Sequence, residues 1–247
     1  MTAGENYSPS SSETAENILI RLVLEGEYPP GSSLPPEREL AARLGVARPT
    51  LREALRRLER DGWFTVRKGQ PTAVNDFWQQ GNLNTLVNIV RNTDIFSGDF
   101  IIYSLEIRAA LAPSFVRDAV SRSPAKVVAA LADAGDLEDS SESYAEFDWA
   151  LLKTLAGLSG NPIYLLILNS YNAIYIQLAR QYFDREECRR ASQGFYRLLL
   201  AASMSSNSEE AARVTREAME ESIALWRGYK IGNTSSAPPD RRFIQYE

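Results

Sequence analysis

Apolar residues recur at helical spacing along most of the chain, and the places where that spacing fails are as telling as the places where it holds. Residues 13 to 25 put Ala15, Ile18, Leu19, Leu22 and Val23 on one side, the three-and-four offsets of an amphipathic helix. The stretch GEYPPGSSLPP then breaks the pattern with two glycines and four prolines. PPERELAARL restarts it, with Pro35 and Pro36 early, where a missing N–H costs little, and Gly45 as a left-handed stop. A few residues on, Pro49 opens TLREALRRLERDG, whose Leu51, Ala54, Leu55 and Leu58 share a face. Two helices joined by a tight glycine turn predict a helix-turn-helix. Past Gly62 the period shortens: WFTV and TAV flank RKGQP, with Gly69 permitting a tight turn, and a β-hairpin or wing is expected.

From Gly81 onward the period is helical again, over roughly 82–93, 99–119, 124–139, 142–158, 161–183, 185–204 and 208–229. The expected fold is mainly α with a small β-hairpin: an N-terminal winged helix-turn-helix and a C-terminal antiparallel all-helical bundle of six or seven helices. The expected organisation is a winged helix-turn-helix domain over 1–75, a linker over 76–81, a helical domain over 82–230, and a flexible tail over 231–247.

Charge sharpens this picture. The 247 residues carry a net charge of −5, which argues against a general polyanion binder. Residues 38–68, however, hold nine Lys/Arg against four acids, leaving 18 basic and 28 acidic groups elsewhere. A small cationic island on an anionic body suits a nucleic-acid face. Arg48, Arg52, Arg56 and Arg60 recur every fourth residue, a stripe opposite the apolar side of their helix.

Composition removes whole classes of chemistry. The chain has no histidine, which excludes Ser-His-Asp and Cys-His catalysis and any metal site built on imidazole. No cofactor is expected. Cys188 is the single cysteine, so no intrachain disulfide forms. No run approaches the ~18 apolar residues of a membrane span, and the first residues lack the basic-then-apolar order of a signal peptide. A cytoplasmic protein with no membrane partner is expected.

The segment LPPERELAARLGVARPTLREALRRLERDGWFTVRKG resembles the winged helix of the GntR family of bacterial transcription regulators. The stretches GQPTAVNDFWQQGNLNTL, SGNPIYLLILNSYNAIYIQLARQYF, QGFYRLLL and ESIALW narrow the likeness to the FadR subfamily, regulators of fatty acid metabolism. The resemblance implies a homodimer that binds a double-stranded DNA operator and is released from it by long-chain acyl-coenzyme A. It implies repression of fatty acid breakdown and possible activation of synthesis.

Carried over by position, Arg38, Arg48, Thr50 and Arg52 contact phosphates and base edges, with Lys68 and Gly69 at the wing tip. Arg108, Tyr175, Tyr182, Met219, Ser222 and Trp226 fall at the effector site. Met219 stands where the subfamily has a glycine; it either narrows the ligand tunnel or, being flexible, repacks around the chain. Relatives with this type of bundle hold a metal through one aspartate and three histidines. Only the aspartate, Asp148, remains here, and its expected place is a buried structural position or the surface. The competing readings are a ligand-insensitive regulator and, from another class, an acyl-coenzyme A-processing enzyme, whose nucleophile or base without histidine would have to be an Asp, a Glu, a Lys or Cys188, the last flanked by both signs of charge in DREECRR and expected to be an inert thiol.

Overall fold

Helix α1 (Ser11–Leu24) buries Ala15, Leu19, Ile20 and Val23. Ile18 and Leu22, expected on the same face, are only half-buried. The face is turned toward Ile20 because α1 packs on both α3 (Arg48–Arg60) and α5 (Leu83–Asn92) and needs a wider apolar stripe. The computed structural model describes residues 11–92 and 98–233, and it forms two compact units, one up to residue 94 and one from 95 onward. The expected tail beyond 233 lies outside the described residues.

In the first unit α2 (Glu37–Leu44) lays Leu40 and Ala41 on α3 and ends at Gly45, whose φ of 66° is left-handed. Helix α3 starts with Pro49 in its first turn and buries Leu51, Ala54, Leu55 and Leu58. Strands β1 (Phe64–Thr65) and β2 (Ala73–Val74) pair antiparallel, Phe64 opposite Val74. The chain before α2 joins them, with Leu34 N donating to the Thr72 carbonyl at 2.8 Å. These pieces are the expected helix-turn-helix and wing.

The segment expected as linker folds onto this unit. Asp76 caps a four-residue helix, α4 (Phe77–Gln80), and the Phe77 ring stacks on Trp63 at 4.8 Å. Gly62 makes the approach possible: its φ is +87°, and a Cβ there would collide with the Gln80 carbonyl. The Thr85 hydroxyl donates to the Asp61 carbonyl, and Asn82 Nδ2 to that of Arg60 at 3.2 Å. The C-terminal end of α3 is thereby tied to the start of α5.

The second unit is a bundle of α6 (Gly98–Arg122), α7 (Pro124–Ala130), α8 (Ser141–Leu158), α9 (Pro162–Phe183), α10 (Glu186–Met204) and α11 (Ser208–Asn233). Helix α6 packs against α8 and α11, α8 against α9, and α10 against α11. The helix expected over 124–139 breaks after Ala130 into a 3-10 turn, Ala132–Asp136. Asp133, Gly135 and Asp136 explain the break, since aspartate side chains compete for backbone bonds and glycine weakens the helix. No helix among the described residues is long and apolar enough to cross a membrane.

Candidate nucleic-acid interface and effector cavity

The cationic stripe is built by the amphipathic period of α3. With Leu51, Leu55 and Leu58 turned inward, Arg48, Arg52, Arg56 and Arg60 must face out, and Arg48 and Arg52 are 57% and 59% exposed. Arg48, Pro49, Arg52, Glu53 and Arg56 line one shallow groove. Arg57, off the stripe, is held by Glu53 at 2.6 Å and by Glu16 at 3.4 Å. Thr50 is half-buried at the start of α3, and Arg38 is exposed in the first turn of α2. At the wing tip Lys68 and Gly69 are exposed, and Gln70 N closes the turn on the Arg67 carbonyl at 3.1 Å. Gly69 has a φ of +76°, which a side chain would strain. Glu59 of α3 accepts from Val66 N at 2.9 Å and fixes the wing to that helix. One residue that the sequence reading missed stands among these cations: Glu37 accepts from Arg52 Nε at 2.8 Å and lies 4.0 Å from an Arg48 nitrogen.

The second site lies inside the bundle, between α6, α8 and α9. A cavity of about 70 Å³ opens there, room for a few atoms of a ligand rather than for a whole one. Its walls are mostly apolar, among them Ile101, Leu105, Phe115, Leu152 and Leu178, and its polar groups come from Ser104, Arg108, Tyr171, Tyr175 and Tyr182.

Arg108 is the centre of a buried network. Its two terminal nitrogens donate to the two oxygens of Asp148 at 2.7 and 2.9 Å, and one of them also to the Tyr175 hydroxyl at 3.0 Å. Tyr175 and Tyr196 donate to the same carboxylate, Tyr196 at 2.9 Å. Asp148 is fully buried, so four donors from α6, α9 and α10 replace its lost hydration. Burial alone would pull the Arg108 guanidinium down, but the Asp148 carboxylate holds it above the usual arginine value. Burial pushes the Tyr175 and Tyr196 phenols well above the usual tyrosine value.

Two donors are left over. Arg108 Nε and the Tyr182 hydroxyl are buried and have no hydrogen-bond partner among the described residues. Tyr182 sits beside the Cys188 thiol and the Ser222 hydroxyl, but Ser222 donates instead to the Ala218 carbonyl at 2.8 Å. Burial pushes both the Tyr182 phenol and the Cys188 thiol up.

Of the six residues expected at the effector site, Arg108, Tyr175 and Tyr182 meet on the cavity wall, whereas Met219, Ser222 and Trp226 of α11 are buried in the adjoining core. Trp226 touches the set through Tyr182, ring centroids 6.1 Å apart. Tyr196 and the pairing of Asp148 were missed. The available signal was the apolar setting of Asp148, with Tyr144, Ala145, Leu151 and Leu152 three and four residues away on α8. A carboxylate on such a face needs a buried partner.

Comparison with known proteins agrees in both units. Residues 11–74 match the family model of bacterial regulatory proteins of the gntR family, and residues 75–234 match that of the FadR C-terminal domain. The chain is 40% identical to the fatty acid metabolism regulator protein of Shewanella halifaxensis, over 87% of this chain and 90% of that one. It is 40% identical to the protein of the same name from Edwardsiella ictaluri, over 88% and 91%. Among solved structures, Lar, which controls the expression of the Listeria monocytogenes agr system, aligns with a TM-score of 0.56 at 17% identity. That match covers 90% of this chain and 99% of Lar, and it speaks for the fold alone.

Proposed function

This chain belongs to the GntR family of bacterial regulatory proteins and carries the FadR C-terminal domain, and from that membership we propose a DNA-binding regulator of fatty acid metabolism that long-chain acyl-coenzyme A releases from its operator. The α3 stripe enters the major groove, where Arg48 and Arg52 read base edges or phosphates bidentately and Arg38 and Thr50 contact the backbone. Lys68 and Gly69 approach the minor groove at the wing tip. The protein acts as a homodimer on a two-fold site, since paired half-sites call for paired winged helices.

One observation carries the effector reading: a largely apolar cavity is lined by Arg108 and Tyr182, whose Nε and hydroxyl are buried with no hydrogen-bond partner among the described residues. An unmet buried donor costs about 1–3 kcal/mol, and a ligand with an apolar chain and a carbonyl relieves it. An acyl thioester has both parts. Tyr175 lines the same wall, and Ser222, Trp226 and Met219 back it from α11. A buried Cys188 with its thiol pushed up is a poor nucleophile, which favours a sensor over an enzyme.

Titration of the DNA-bound protein with a long-chain acyl-coenzyme A, followed by fluorescence anisotropy, tests the proposal. Release at saturating ligand is expected. Saturation of the protein with no change in DNA affinity would refute the coupling.

A further inference from the structure

The stripe on α3 holds an acid that a simple polyanion grip would not contain. Glu37, the first residue of α2, is 30% exposed and takes the Arg52 Nε proton at 2.8 Å, with an Arg48 nitrogen at 4.0 Å. Arg56, one turn further along the same stripe, has no ion pair among the described residues. A carboxylate beside a DNA backbone lowers affinity through repulsion, so its presence between two outward arginines calls for a return of another kind.

The geometry of the bond supplies one. Glu37 engages Arg52 through Nε and leaves the two terminal nitrogens without a protein acceptor among the described residues. Those nitrogens are a pair that guanine O6 and N7, or two phosphate oxygens, accept together. A free arginine side chain loses much rotamer freedom when it docks, and one already fixed loses less. Fixing also works against mismatched sequences, because a held guanidinium cannot swing to the nearest phosphate. The position of Glu37 at the start of α2 is itself favourable, as the helix dipole welcomes a negative charge there.

We propose that Glu37 is a positioning and specificity-determining residue, which acts through Arg52 to convert a cationic stripe into a selective one. This rests on the DNA-binding reading above. Its signature is a pair of opposite signs: removal of the carboxylate strengthens binding to arbitrary DNA and weakens binding to the preferred sequence.

The experiment uses the full chain and two duplexes, the sequence most enriched by the wild-type protein from a random library and a scrambled version of it. Glu37→Ala is expected to bind the scrambled duplex more tightly and the enriched one more weakly, with about a tenfold fall in their affinity ratio. Glu37→Gln keeps an acceptor oxygen without the charge and is expected to fall between wild type and Glu37→Ala; being isosteric, it also carries the test if the alanine variant fails to fold. In an Arg52→Ala background, Glu37→Ala is expected to leave the ratio unchanged. Equal shifts in the same direction on both duplexes would overturn the proposal, as would an undiminished effect in the Arg52→Ala background. A wild-type protein that enriches no sequence would overturn the DNA-binding reading itself.

Discussion

Arg52 and Arg108 are the same residue type in opposite settings. Arg52 is 59% exposed and shares one carboxylate with Arg48, whereas the Arg108 side chain is 12% exposed and is gripped on both terminal nitrogens by a fully buried Asp148. An exposed ion pair contributes ~0–1 kcal/mol to folding, so the stripe can be rearranged by a partner at little cost to the fold. Breaking a buried pair leaves a charge with neither water nor partner, and that costs several times more. The first unit thus keeps its cations available for binding, and the second uses its cation to organise a core around a cavity.

The sharpest way to break that contrast is to remove one partner in each place. Asp148→Ala is expected to destabilise the bundle by about 3–5 kcal/mol, since it strands Arg108 in the interior; urea unfolding of the full chain measures this. A loss below about 1 kcal/mol would mean that the pair is no more than a surface bridge.

Tyr196→Phe removes one charged hydrogen bond from Asp148 and is expected to cost about 1.5–3 kcal/mol. The same residue gives the contrast a pH dependence. The Tyr175 and Tyr196 phenols are raised by burial, so the folded form keeps protons that the unfolded chain releases near about pH 10. Their contribution is complete below that pH and is lost as the pH rises beyond it. Unfolding free energy should therefore fall above about pH 10, and less steeply in Tyr196→Phe.

On the exposed side, Arg52→Ala is expected to weaken operator binding by about 1–3 kcal/mol while unfolding changes by no more than about 0.5 kcal/mol. A large stability loss would place Arg52 with Arg108 instead. The smallest effect belongs to Lys68→Ala, expected to weaken enriched and scrambled duplexes alike and to lower the slope of log affinity against log salt by about 1.

Much of this is legible in the sequence alone. The period of α3 fixed which arginines face outward, because Leu51, Leu55 and Leu58 leave no other arrangement. Gly45, Pro49 and Gly69 marked a stop, a start and a turn where the structure has them. Local pattern could not show that the 76–81 stretch folds back onto α3, since that depends on Trp63 receiving Phe77 and on Gly62 admitting the Gln80 carbonyl. Nor could it show the division of the effector set. Arg108, Tyr175 and Tyr182 reach the cavity while Met219 lies in the core beside it, because three helices cross there at angles that spacing on any one of them does not reveal. Glu37 was hidden for the same reason: its fifteen-residue separation from Arg52 is closed only by the turn between α2 and α3.

The Asp148 network also bears on how such a protein can diverge. Four donors from three helices converge on one carboxylate, so a lineage that exchanges the acid for a neutral residue must first disarm Arg108 or pass through an ancestor that barely folds. Change at this point is therefore expected in coupled steps, with acid and base inherited or discarded together, while the exposed arginines of α3 remain free to change one at a time at little cost to the fold.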